Sequence, residues 1–115
     1  MSCDTLFLLK REFPDPNLSN DTYFCPHTAR IEGLLATFPE KAQNLDVIRV
    51  DFARPRAAVV ARIGTENQSL PVLVLADDAA PDLPAKSAGN ERFIAEQADI
   101  LETLARRHGF PRPHP

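Results

Sequence analysis

Tyr23-Phe24-Cys25-Pro26-His27-Thr28 marks the point where an irregular segment turns into a helix. Proline suits the first helical position, where its missing N–H costs nothing, so Cys25 falls at the N-cap. A thiolate there can accept hydrogen bonds from the unpaired N–H groups of the first turn, and it sits at the positive end of the helix dipole. Both effects favour S⁻ over SH. Thr28 lies three residues on, where its backbone N–H and its hydroxyl reach the sulfur. Cysteine is a poor N-cap unless its sulfur is used. A reactive thiol is therefore preferred over a small apolar residue that happens to precede a helix.

Working outward, the spacing predicts a helix over Pro26–Phe38, with Ile31, Leu34, Leu35 and Phe38 on one stripe and Pro39 as its stop. Upstream, Thr5-Leu6-Phe7-Leu8-Leu9 is a short apolar run suited to a strand buried on both faces. Between them, residues 10–24 read as a long loop rich in Pro, Asp and Asn, a length that is often functional or mobile. Downstream come a strand at Leu45–Phe52, a helix opened by Pro55 with Val59, Val60 and Ile63 inward, and a strand at Val72–Leu75. After a polar loop over Ala79–Asn90, a short strand at Arg92–Ala95 leads to a last helix at Glu96–His108. Ile100, Leu101, Leu104 and Ala105 form its stripe, Arg106, Arg107 and His108 suit its negative end, and Gly109 ends it. Residues 110–115 form an extended tail. The order β-α-β-α-β-β-α predicts an α/β fold with a four-stranded mixed sheet flanked by three helices. Leu6, Leu8, Val47, Ile48, Val72 and Val74 are expected to be buried in it.

The 115 residues fit one domain spanning 1–115. With 43% hydrophobic and 25% charged residues, the chain has an ordinary globular composition. A net charge of −3 supplies no electrostatic reason to expect nucleic acid. No apolar run approaches the roughly 20 residues of a membrane span, and no signal peptide is recognisable. A cytosolic, cytoplasmic location with both cysteines reduced is expected. Cys25 with His27, His108 or His114 makes no recognisable zinc spacing, so no metal is expected. Cys3 precedes the first strand and Cys25 lies beyond its far end, about 16 Å away at roughly 3.3 Å per residue, so the two are not expected to bridge.

A strand, then Cys25-Pro26-His27-Thr28 at a helix start, then Leu70-Pro71 before an apolar strand, resembles the thioredoxin superfamily. It is most similar to glutaredoxins and to the N-terminal domains of glutathione transferases. Tyr23-Phe24-Cys25-Pro26-His27 and Glu66-Asn67-Gln68-Ser69-Leu70-Pro71-Val72-Leu73 also resemble segments shared by small bacterial thioredoxin-like proteins of unknown function. The resemblance implies a thioredoxin-like fold with Pro71 cis beside Cys25, and a Leu70 backbone free to pair with a thiol-bearing peptide as an added strand. It also implies that Glu96 and Gln97 hold the glutamyl end of glutathione, although the transferases have Ser where this chain has Gln97. Glu96 reads equally well as a charge favoured at a helix start. Most thioredoxins have a second cysteine at the position of Thr28, so Cys-x-x-Cys exchange is excluded here. The helical second domain of the transferases is not expected here, since the 115 residues read as the thioredoxin-like unit alone.

Two functional readings follow. In the first, the chain is a monothiol thiol–disulfide oxidoreductase with Cys25 as nucleophile. Glutathione serves as co-substrate, and no tightly bound cofactor is needed. His27 then adds positive charge or acid–base capacity, or else simply faces solvent. In the second, the chain is a non-catalytic binding or regulatory module on a redox fold. The partner is glutathione or a thiol-bearing peptide, and a homodimer is compatible with either reading.

Overall fold

The computed structural model describes residues 3–115. The elements are β1 (Asp4–Leu9), β2 (Phe13–Pro14), β3 (Thr22–Tyr23), α1 (Pro26–Thr37), α2 (Pro39–Ala42), β4 (Leu45–Val50), α3 (Ala57–Ile63), β5 (Val72–Val74), β6 (Lys86–Ala88), β7 (Glu91–Ile94) and α4 (Gln97–His108). Five strands form a mixed sheet in the order β4-β1-β5-β7-β6, and β2 pairs with β3 as a separate ribbon. No described helix is long and apolar enough to cross a membrane.

All six residues of β1 are buried. Side chains alternate between the faces of a strand, so Leu6 and Leu8 join Leu73, Leu75 and Ile94 under α1 and α4. Phe7 joins Val72, Val74 and Phe93 under α3. β1 runs parallel to β4 and antiparallel to β5, and β5 is antiparallel to β7, as the connections require.

The expected four-stranded sheet is corrected to five strands, and the three helices to four. The added strand β6 lies within the segment expected to be loop and pairs with β7 across a two-residue turn at Gly89-Asn90. Gly89 has φ +59°, a left-handed conformation that glycine adopts without strain. Pro39 stops α1 and then serves as the first residue of the single-turn α2. Val47 and Ile48 are only half-buried, because β4 is an edge strand.

The far end of the molecule is closed by Asp4. Its buried carboxylate receives hydrogen bonds from Arg107 Nε at 2.7 Å and from the Ala76 amide at 2.7 Å, and His108 Nε2 lies 2.8 Å away. The start of β1, the end of β5 and the last turn of α4 meet there. Burial alone would raise the Asp4 carboxyl, but its bonds to His108, Arg107 and Ala76 outweigh burial and hold it far below the usual carboxylate range. The unfolded value is about 3.9, so this contribution to stability is complete above that pH and lost as pH falls below it. Asp4→Asn is expected to cost about 3 kcal/mol near neutral pH, as when one partner leaves a buried pair. The gap from the parent is expected to narrow below about pH 4, which urea unfolding on both sides of that pH measures. A gap independent of pH would show that the charge of Asp4 is not what clasps the ends.

Candidate functional site

Cys25 is the N-cap of α1, with extended backbone at φ −85° and ψ 117°. Its Sγ accepts the Thr28 N–H at 3.5 Å, and Pro26 occupies the first helical position. The Cys25 side chain is half-exposed and its thiol is free, as is that of exposed Cys3. The Thr28 hydroxyl does not reach the sulfur as expected. Thr28 is buried, and its Oγ1 accepts the Leu9 N–H at 3.4 Å, fastening the start of α1 to the end of β1.

Sheet register decides what else reaches this end. Phe7 lies opposite Val72 in an antiparallel pair, so the chain before β5, Leu70-Pro71, runs alongside Leu8 and Leu9. The Leu70–Pro71 bond is cis. Leu73 lies opposite Ile94, so β7 leaves the sheet at the same edge and delivers Glu96 and Gln97 there. At about 4.8 Å per strand, the start of α4 lies roughly 10 Å from β1 across the sheet. Cys25, Thr28, Leu70, Pro71, Glu96 and Gln97 therefore gather at one end of the fold.

The individual side chains differ in what they do. Glu96 is exposed at the N-cap of α4 and caps no backbone N–H. Gln97 has both its Nε2 and Oε1 buried with no hydrogen-bond partner among the described residues. The two share a crevice with Arg30 and Arg112. His27 is exposed on the first turn of α1. The 10–24 segment does not seal the thiol. Its β2–β3 ribbon stacks Phe13 on Phe52, centroids 4.5 Å apart and planes 3° apart, and leaves Phe24 62% exposed beside Cys25. Lys10 is taken up by Asp51 at 2.8 Å.

Sequence reasoning missed Arg56. This residue is 6% exposed and pairs with no carboxylate among the described residues. Its Nε and Nη2 donate to Phe52 O at 3.0 and 2.6 Å, and its Nη1 donates to Gln68 O at 2.7 Å. Its backbone N–H donates to Gln68 Oε1 at 2.7 Å, while Gln68 Nε2 donates to Thr65 O at 2.8 Å. Arg56 thus ties the β4–α3 loop to the segment that carries Leu70-Pro71. Burial holds its guanidinium below the ordinary arginine value, neighbouring Arg54 adds to that, and Cys25 opposes it. Arg54, Arg56 and Cys25 therefore share one electrostatic neighbourhood. A lone arginine after a proline carries no sequence signal of this, since charged residues are ordinarily exposed.

Replacing Arg56 with Met leaves two carbonyls short of donors. A loss of about 2–3 kcal/mol is expected. Arg56→Lys is expected to recover less than half of it, because an ammonium cannot span both carbonyls as a planar fork does. Urea unfolding of the three proteins checks this, and full recovery with Lys would mean that charge alone is needed.

The family model described as "Protein of unknown function (DUF3088)" matches residues 3–112. No curated protein and no solved structure matches the chain. The family match takes in every strand and helix described above and the whole of the Cys25 end, and on that extent the chain belongs to the DUF3088 family.

Proposed function

We propose that this chain is a thioredoxin-like monothiol thiol–disulfide oxidoreductase that uses glutathione, with Cys25 as its nucleophile. The observation that carries the reading is the Cys25 Sγ, half-exposed and accepting the Thr28 N–H at the start of a 12-residue helix. The parallel β1–β4 pair joined through α1, the antiparallel β5–β7 pair and the placing of Leu70-Pro71 before β5 support the thioredoxin-like scaffold.

Cys25 thiolate attacks one sulfur of a glutathionylated thiol. A Cys25–glutathione disulfide forms, the original disulfide breaks, and the substrate leaves as a thiolate that takes a proton from solvent. Thr28 offers no second thiol, so a glutathione thiolate attacks the mixed disulfide. Oxidised glutathione leaves, and the Cys25 thiolate returns. In this scheme the Leu70 backbone holds the peptide as an added strand. Glu96 receives the glutamyl ammonium. The unpartnered Gln97 amide donates from its Nε2 to the neighbouring carboxylate, in place of the Ser of the transferases.

Cys25 is expected to react with iodoacetamide at neutral pH about tenfold faster than Cys3. Oxidised glutathione is expected to add a single glutathione mass to the intact chain, at Cys25. Cys25→Ser is expected to abolish glutathione-dependent reduction of a mixed disulfide, and Cys3→Ser to leave it intact. Equal reactivity of the two cysteines with no adduct at Cys25 would overturn the enzyme reading in favour of a non-catalytic binding module.

A further inference from the structure

A cavity of about 770 Å³ lies between the segment that includes β2 and the β4–α3 loop. Cys25 does not line it. Its size falls within the range that encloses small ligands, and its make-up is of the matching kind, an apolar body with a few charged groups. Stacked Phe13 and Phe52, with Pro14 and Pro16, form the apolar part and offer no side-chain hydrogen bonds.

The charges around it are sorted by wall. Glu12 and Asp15 come from the ribbon side, and Arg54 and Arg56 from the loop side. Lys10 and Asp51 cancel one another at 2.8 Å. The Arg56 guanidinium is already donating to Phe52 O and Gln68 O, so it contributes positive charge rather than free N–H groups. Arg54 makes no ion pair or hydrogen bond among the described residues and keeps its whole fork available. On the facing wall, the only ion-pair contact of Glu12 among the described residues is to Arg11 at 3.9 Å, too long for a hydrogen bond. A purely anionic ligand would meet the acids, and a purely cationic one the arginines. A molecule with opposite charges at its two ends and an apolar body satisfies both walls. A dipeptide has these features and spans about 7 Å.

We propose that this cavity binds short zwitterionic peptides with an apolar side chain, the α-carboxylate against Arg54 and the α-ammonium against Glu12. This site stands independently of the chemistry assigned to Cys25. Binding neutralises Arg54 and Glu12, which have no close ion-pair partner among the described residues, and covers the exposed edge of the Phe13–Phe52 stack.

The probe is the dipeptide phenylalanyl-alanine, titrated calorimetrically into the full chain alongside its N-acetylated and C-amidated forms. Saturable one-to-one binding is expected, and each capped form is expected to bind about three- to tenfold more weakly. Arg54→Gln is expected to erase the penalty for amidation while keeping that for acetylation, and Glu12→Gln to do the reverse. Both side chains are exposed, so thermal unfolding of the variants is expected to match the parent. Cys25→Ser is expected to leave binding unchanged. The proposal is overturned if no saturable heat appears, if capping makes no difference, if Arg54→Gln still discriminates against the amide, or if Cys25→Ser removes binding.

Discussion

β1 is held from every direction, and the rest of the molecule takes its positions from it. Its six residues are all buried, β4 bonds one edge and β5 the other. Helices cover both faces. The Asp4 carboxylate secures its first residue to β5 and α4, and Thr28 secures its last residue to α1. A strand this constrained fixes the relative positions of whatever leaves its C-terminal end. Cys25, Leu70-Pro71 and the start of α4 are distant along the chain. Leu70-Pro71 and the start of α4 are each one short step from a residue in register with β1 or β5, and Cys25 is brought in by the bond from Leu9 to Thr28.

Elements that bury a face were legible in the sequence, and elements held by backbone alone were not. Ile31 and Leu35, or Ile100, Leu101 and Leu104, repeat at helical spacing because they must all meet the same sheet. Lys86-Ser87-Ala88 has no such pattern. As an edge strand it needs only hydrogen bonds to β7 on one side, and its largely exposed side chains carry no record of the pairing. Gly89-Asn90, a two-residue turn signal, was the one local hint. The half-burial of Val47 and Ile48 has a related cause: an apolar run shows that a strand is present but not whether it ends up at the edge of its sheet.

The same division runs through the site. Cys25 was legible because Pro26 marks a helix start locally, and an N-cap needs nothing beyond the next three residues. Leu70-Pro71 came from resemblance to a known pattern rather than from the physics of the segment. Arg56 was invisible because its partners, Phe52 O and Gln68 O, are backbone carbonyls brought to it by two loops, and any residue type at positions 52 and 68 supplies a carbonyl. Gln68 stood out only as part of a longer segment, yet its side chain receives the Arg56 amide and donates to Thr65. Asn67 beside it is used internally as well, its Nδ2 donating to Ile63 O at 2.7 Å at the end of α3.

Arg56 is also where the surroundings of the thiol and of the cavity meet. A buried cation is tolerated only where dipoles or an anion offset its lost hydration. Here two carbonyls and the Phe52 ring, its centroid 5.5 Å from the guanidinium carbon, do so, and repulsion from Arg54 works against them. In the proposed scheme the Cys25 thiolate adds to that support, and a disulfide at Cys25, which carries no charge, leaves the carbonyls and the Phe52 ring to hold the guanidinium. A carboxylate held by Arg54 relieves the repulsion from the cavity side. Both influences act through space on a guanidinium that stays charged and keeps its hydrogen bonds, because arginine does not lose its proton in a folded protein. Neither one rearranges the clamp, so the cavity and the sulfur share a supporting residue while each keeps its own ligand chemistry.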